Sequence, residues 1–345
     1  MNASPAPRFL KALDRQTQDR PPIWFMRQAG RYLPEYRELR AKAPDFIAFC
    51  LNPEMAAEAT LQPMRRFAFD AAIVFADILL IPKGLGQEVW FEAGEGPRLG
   101  PLPEMSVLRG QIEAAATRLS AVGETLSRVR AVLEPERALI GFAGAPWTVA
   151  TYMIEGRSSD RTRARTFAFE KPEVLDELVE ILVQATIHYL AMQARAGAQV
   201  LKLFESWAES LPEDVFERVV TRPHARIVAG LRAQGITAPV IGFPRGAGSL
   251  VEGYAKAAGV QAVALDVSAS AEFGQRLQKD VTIQGALDPL LLRAGGPGLD
   301  RRVAQLLEQW SDGPYIFNLG HGILPDTPIA HVQQVLDRVT GWRGH

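Results

Sequence analysis

The sequence predicts a single-domain (β/α)8 barrel, an α/β fold of the TIM-barrel type spanning residues 1–345, on three observations. Short runs rich in Val, Ile and Phe recur along the chain. Longer stretches with helical periodicity separate them. The first run leads into Arg27-Gln28-Ala29-Gly30-Arg31 instead of a glycine-rich phosphate loop. The alternation argues for a parallel sheet with helical crossovers. The missing loop argues against an open doubly wound sheet, which carries G-x-G-x-x-G after its first strand. A length of 345 residues admits two domains on the usual prior, yet barrels of alternating strands and helices reach this size as one. No linker, low-complexity tract or internal repeat divides it.

The strands expected, in order, are Ile23–Met26, Ala71–Ala76, Ala138–Phe142, Val200–Phe204, Val240–Phe243, Ala262–Leu265, Thr282–Ala286 and Tyr315–Leu319. All are short, apolar and bounded by turn residues, as strands buried on both faces should be. Helices are expected at Pro53–Phe67, Met105–Val132, Pro172–Ala196, Pro212–Gln234, Val303–Trp310 and Thr327–Val339. The segment Pro82–Leu99 breaks the rhythm and reads as a hairpin added over the barrel mouth.

With 47% apolar and 22% charged residues the chain is an ordinary globular protein able to bury a large core. A formal net charge of −1 gives no general attraction to nucleic acid or anionic lipid, so charge recognition must be local. Arginine outnumbers lysine 31 to 7, which beside heavy alanine usage reflects base composition. The single cysteine, Cys50, supports neither an internal disulfide nor a multi-thiolate metal site, which fits a reducing cytoplasm. The start, MNASPAPRFLKALDRQ, lacks the apolar core of a secretory signal, and no run approaches the ~20 apolar residues that span a bilayer. A soluble cytoplasmic protein without membrane or nucleic-acid partners is expected. G-x-x-x-x-G-K-[ST], H-E-x-x-H and G-x-S-x-G are all missing, so nucleotide binding, zinc proteolysis and serine hydrolysis lose their usual sequence warrants.

Active sites of such barrels gather where strands end, so the residues following each strand are the candidates. Strand one ends at Arg27, strand two at Asp77, strand four at Glu205 and Ser206, and strand eight at Gly320 and His321; strand three runs into a G-x-P-W-T turn leading to Tyr152. Arg27, Arg31, Arg37 and Arg40 follow one strand closely, and guanidinium groups grip carboxylates through paired hydrogen bonds, so this cluster expects a polyanion. A helix with solvated arginines is the alternative. Asp77, among apolar neighbours, needs a partner; a helix cap or a ligand donor would serve equally. Tyr152 offers a phenol to a ligand or to water, and Ser206 a hydroxyl to a carboxylate or to backbone. His321, uncrowded between Gly320 and Gly322, suits proton transfer or, as imidazolium, carboxylate binding. His188, His224, His331 and His345 lack mutual ligand spacing and read as structural or solvated, while Trp24, Trp147 and Trp207 read as packing.

Longer motifs sharpen this reading. The run PPIWFMRQAGR at 21–31 and GFAGAPWTVATYMIEG at 141–156, with IVFADILLIPKGLG at 73–86, LFES at 203–206 and FNLGHGI at 317–323, resemble uroporphyrinogen decarboxylases across nearly the whole chain. The resemblance implies decarboxylation of the four acetates of uroporphyrinogen to methyls, giving coproporphyrinogen and four CO2 in haem and tetrapyrrole biosynthesis. It implies a homodimer with both clefts near the interface. It also implies that Arg27, Gln28, Ala29, Gly30, Arg31, Arg40, Asp77, Tyr152, Ser206 and His321 bind substrate, with Arg27, Asp77, Tyr152 and His321 catalytic and Asp77 accepting from the pyrrole N–H groups. No metal or cofactor is expected, because a pyrrole protonated at its α-carbon supplies its own electron sink. Two alternatives stand beside this one. A corrinoid- or thiol-dependent methyltransferase would need zinc ligands that Cys50 alone does not furnish. A non-catalytic tetrapyrrole carrier would have no use for Asp77, Tyr152 and His321 together.

Overall fold

The computed structural model describes residues 7–92 and 94–344. Its architecture is α/β, built on a curled parallel sheet of seven strands with helices packed outside. The strands, in chain order, are β1 (Ala71–Ile73), β4 (Ala138–Gly144), β5 (Val200–Glu205), β6 (Val240–Pro244), β7 (Ala262–Ala264), β8 (Thr282–Leu287) and β9 (Tyr315–Leu319). Each pairs in parallel with the next, so β1 and β9 are the edges. The intervening β2 (Val89–Glu92) and β3 (Gly96–Leu99) form a separate antiparallel hairpin inside the predicted 82–99 insertion. β4, β6, β8 and β9 are buried throughout, as parallel strands covered on both faces must be.

The predicted first strand, Ile23–Met26, departs from expectation: it survives as one parallel bridge, Ile23 to Phe317. Proline and side chains explain why. Pro21 and Pro22 have no N–H to donate. The Ile23 amide goes to the Asp70 carboxylate at 2.8 Å, and the Met26 amide goes to Asn318 Oδ1 at 3.2 Å. The segment still touches both sheet edges. Phe317 N donates to Pro22 O at 2.8 Å on the β9 side, and Asp70 N donates to Ile23 O at 2.9 Å just before β1. The Arg20–Asp70 ion pair at 2.8 Å braces the same seam.

The predicted helix Met105–Val132 is three pieces, Met105–Arg109, Ile112–Arg118 and Ser120–Val132. Pro212–Gln234 is likewise divided, because Pro223 cannot donate to the i−4 carbonyl and the turn before it, Glu217–Thr221, widens to a π-helix. The helix expected at 303–310 begins earlier, at Gly296, and Pro172–Arg195 forms as expected with Pro172 at its first turn. Helices at Pro146–Glu155, Thr162–Glu170, Leu250–Ala257, Ala271–Leu277 and Pro289–Ala294 were not anticipated.

Strand alternation sorts the core. Gly141 of β4 has no side chain because an added Cβ would lie 2.5 Å from Gln193 Oε1 on the covering helix, so the outer face is packed backbone to helix. On the opposite face of β5, Lys202 is fully buried, its Nζ 5.1–5.3 Å from the rings of Trp24, Phe204 and Phe243. No described helix is long and apolar enough to cross a membrane.

Candidate active site

The site is assembled at the carboxyl ends of β1, β4, β5, β6 and β9. After β1 the chain leaves the sheet: Val74 N still bonds Ile140 O, but Phe75 N donates to Thr60 Oγ1 at 2.9 Å on the helix Pro53–Arg66. That helix is fixed by Asn52, whose side chain accepts from Met55 N, and by Pro53 in its first turn. Asp77 follows. Its Oδ1 accepts from Leu79 N at 2.8 Å, a local turn bond just before the short helix Leu80–Gly84, whose N-cap is Leu79. Burial drives its carboxyl up to about 6, against the Leu79 hydrogen bond and the charge of Arg27.

Arg27 adopts a left-handed backbone, φ 62°. Its aliphatic stem lies against Gly322, where a Cβ would stand 2.4 Å from Arg27 Cδ, so any side chain at 322 would evict the arginine. The contact brings Arg27 beside His321, and Ile323 N donating to Met26 O at 2.9 Å ties the two loops. His321 is half-buried; burial, then Arg27, then Arg245 hold its pKa down at about 4. It is therefore neutral at pH 7, and the imidazolium reading of the sequence does not hold for the free enzyme.

Tyr152 rides on the helix Pro146–Glu155, which ends at Gly156 in the left-handed conformation. Its ring packs 5.9 Å from Trp207, and the Arg161 guanidinium sits 4.4 Å above the same indole while pairing with Glu209 at 2.9 Å. Burial raises the phenol pKa; the nearby Ser158 and Trp207 side chains and Arg27 partly offset this, and Asp77 adds to it. Arg27, Asp77, Tyr152 and His321 thus lie within one electrostatic neighbourhood, as the strand-end rule expects.

The remaining predicted residues are less gathered. Gln28 is turned into the core, accepting from Phe25 N and donating to Ala71 O and Met64 Sδ. Its side chain is a buried strut with both N–H donors already given to the protein, so it has none left for a substrate carboxylate. Ala29 and Gly30 are half-buried and Arg31 is exposed. Arg40 donates to Ala43 O and lies 5.9 Å over Phe49, and Arg31 and Arg40 act on Tyr36 rather than on Asp77. Ser206 is half-buried, and its carbonyl accepts from Arg245 Nη1 at 3.3 Å. His188 and His331 lie outside this cluster, and His345 falls outside the described residues.

Two features escaped the sequence reading. Arg245, immediately after β6, enters the cleft; the strand-end rule would have found it in P-R-G-A-G at 244–248 had it been applied to that strand. Glu205 is fully buried and accepts from Trp147 N, Thr148 N, the Thr148 hydroxyl and His224, whose Nδ1 lies 2.7 Å from the Tyr254 hydroxyl. No local pattern announces that network, because its members come from four distant segments. It caps the helix that carries Tyr152. Among the described residues no group of three or more His, Cys, Asp or Glu is placed to hold a metal ion.

Residues 4–342 match the family described as uroporphyrinogen decarboxylase (URO-D). A relative named uroporphyrinogen decarboxylase from Caulobacter vibrioides (strain NA1000 / CB15N) is 69% identical over 335 residues, covering 97% of this chain and 95% of the relative. One of the same name from Phenylobacterium zucineum is 68% identical over 340 residues, covering 98% and 99%. Among solved structures, a methyltransferase from Methanosarcina mazei matches with a TM-score of 0.77 over 97% of each chain at 17% identity, a likeness of fold alone.

Proposed function

The chain belongs to the uroporphyrinogen decarboxylase family, and we propose that it converts the four acetates of uroporphyrinogen III to methyls, releasing coproporphyrinogen III and four CO2 in haem biosynthesis. The observation that carries this reading is Asp77: a carboxylate just past a strand, with Oδ1 committed to Leu79 and with Arg27 and Tyr152 in its electrostatic neighbourhood, Arg27 in turn acting on His321. A porphyrinogen directs its pyrrole N–H groups at its own centre, and such an oxygen is placed to accept from them.

In the proposed reaction a proton is added at the α-carbon of a pyrrole. The C–CO2 bond then breaks, its electron pair passing into the iminium-like ring, the exocyclic methylene is protonated to a methyl, and loss of the proton first added at the α-carbon restores the neutral pyrrole, so that one proton is consumed per CO2 released. Asp77 balances the positive charge of the protonated ring. Arg27 holds a peripheral carboxylate, aided by Arg31 and Arg40 at the outer edge and by the Gln28–Gly30 main chain and Ser206. His321, neutral in the free enzyme, and Tyr152, held protonated, are the groups able to pass a proton at the reacting carbon or its carboxylate. The substrate's own ring serves as electron sink, so no metal or cofactor is assigned a step.

The same reading takes the segment Ile23–Met26 as the eighth stave of a closed (β/α)8 barrel and residues 1–345 as one catalytic domain. It also takes the protein as a cytoplasmic homodimer acting on a small molecule, without nucleic-acid or membrane partners. The test is anaerobic incubation of the purified protein with uroporphyrinogen, followed by separation of products by carboxylate number. Successive hepta- to tetracarboxylate products are expected, and unchanged octacarboxylate would overturn the assignment.

A further inference from the structure

Eight carboxylates on a porphyrinogen need more than one cationic wall, yet Arg27, Arg31 and Arg40 all come from one segment. The opposite wall holds a guanidinium of a different kind. Arg245 follows β6, three strands along the sheet from β9. It is half-buried, and its only side-chain hydrogen bond among the described residues runs from Nη1 to the Ser206 carbonyl at 3.3 Å. Among the described residues no carboxylate lies within ion-pair distance of it. The nearest candidate is Asp266, and that side chain is already engaged: Oδ2 accepts from Gly246 N at 2.7 Å, and Oδ1 accepts from Ser268 N at 2.9 Å and Ser268 Oγ at 2.6 Å.

The backbone around Arg245 is set before any ligand arrives. Its own N–H donates to Glu205 O, and the next residue, Gly246, takes φ 79° with Glu209 so near that a Cβ would come within 2.5 Å. The turn therefore aims Arg245 without freedom to swing the main chain. A half-buried guanidinium, tethered at one terminus and with Nε and Nη2 free of hydrogen bonds among the described residues, is arranged to receive a planar anion through two parallel hydrogen bonds. Its charge, like that of Arg27, acts on His321, and it comes from β6, the middle strand of the sheet, whereas Arg27 follows the segment that touches the two sheet edges.

We propose that Arg245 is a substrate-binding arginine that seats a peripheral carboxylate of the tetrapyrrole on the β6 side of His321, opposite Arg27. This rests on the function proposed above and sets which way round the macrocycle lies. One ring edge is held at Arg27, the far edge at Arg245, and Asp77 and His321 sit between. The anion gained at Arg245 also offsets the two cations flanking His321.

The test compares wild type with Arg245→Gln and Arg245→Lys in three measurements. Steady-state kinetics with uroporphyrinogen should show KM raised about tenfold or more in Arg245→Gln with kcat within about threefold, and Arg245→Lys should recover part of the loss. Calorimetric titration with benzenehexacarboxylate, which needs no turnover, should show weaker binding to Arg245→Gln than to wild type. Melting temperatures should agree. Unchanged KM together with unchanged benzenehexacarboxylate binding overturns the proposal. So does a loss of kcat and melting temperature together in both variants, which marks Arg245 as a brace for Ser206. A wild type that decarboxylates nothing, yet loses benzenehexacarboxylate binding on Arg245→Gln, sinks the decarboxylase reading and leaves the anion seat standing.

Discussion

Two ionisable clusters sit a few residues apart in this protein, and they are built on opposite terms. Around Glu205 everything is closed: the carboxylate has no exposure, four donors from Trp147, Thr148 and His224 meet it, and His224 meets Tyr254 on its other nitrogen. Around Asp77 everything has a loose end. One carboxylate oxygen is free, Arg27 and Arg245 lack ion pairs, and His321 carries no hydrogen bond among the described residues. A saturated cluster holds shape, and an unsaturated one waits for a ligand. That distinction separates structural from functional charge better than residue type does, since both clusters contain an acid and a histidine.

The contrast is broken most forcefully at Glu205. Glu205→Ala leaves buried donors without an acceptor and should cost about 3–5 kcal/mol of stability, seen as a large drop in melting temperature or as insoluble protein. A variant melting like wild type would dissolve the distinction.

Asp77→Asn should do the reverse, lowering turnover on the order of 10²–10³-fold while the fold stands. The amide keeps an acceptor for Leu79 N but presents N–H₂ towards the pyrrole N–H groups. Removing a carboxylate that burial disfavours should leave the melting temperature at pH 7 equal or higher. Single-turnover decarboxylation beside thermal melting decides the matter, and near-normal turnover would remove Asp77 from catalysis.

The gentlest probe is pH. With the Asp77 carboxyl at about 6, kcat/KM should fall as pH drops through that value, approaching tenfold per unit below it. A flat profile between about pH 5 and 7 would deny Asp77 the ionised role. Stability moves the other way for this group. Its folded pKa lies above the unfolded 3.8, so its penalty is fully present above about 6 and is relieved as pH falls towards 3.8. His321 has the opposite sign: depressed from 6.5 to about 4, it subtracts stability as pH falls through that window, because the unfolded chain takes the proton first.

The sequence disclosed the gathered four because Arg27, Asp77 and His321 closely follow apolar runs that announce themselves by composition, and Tyr152 follows the G-x-P-W-T turn that leads out of β4. It disclosed the saturated cluster not at all. Glu205 was noticed only for its position, and His224, set aside as structural or solvated, is indeed structural, but its partners lie on other segments and no spacing connects them. Helix breaks were hidden for a similar reason. Pro223 in a helical pattern warns of an interruption without saying that a π-turn will absorb it, and the three pieces of 105–132 keep one apolar rhythm across their joints. Ile23–Met26 reads as a strand because its apolar run is real; what competes for its amides, Asp70 and Asn318, lies far along the chain.

That last substitution has a mechanical consequence. Every neighbouring pair in the sheet is joined by a backbone ladder, whereas the segment 22–26 hangs between its edges on a few bonds, several ending on side chains. What holds this seam closed is therefore less a backbone ladder than the burial of Ile23, Trp24 and Phe25, none of which has any exposure. Arg27 is the first residue beyond it. Arg27, proposed above to hold a substrate carboxylate, is thereby mounted on a segment moored partly by the Asp70 and Asn318 side chains instead of on a ladder strand.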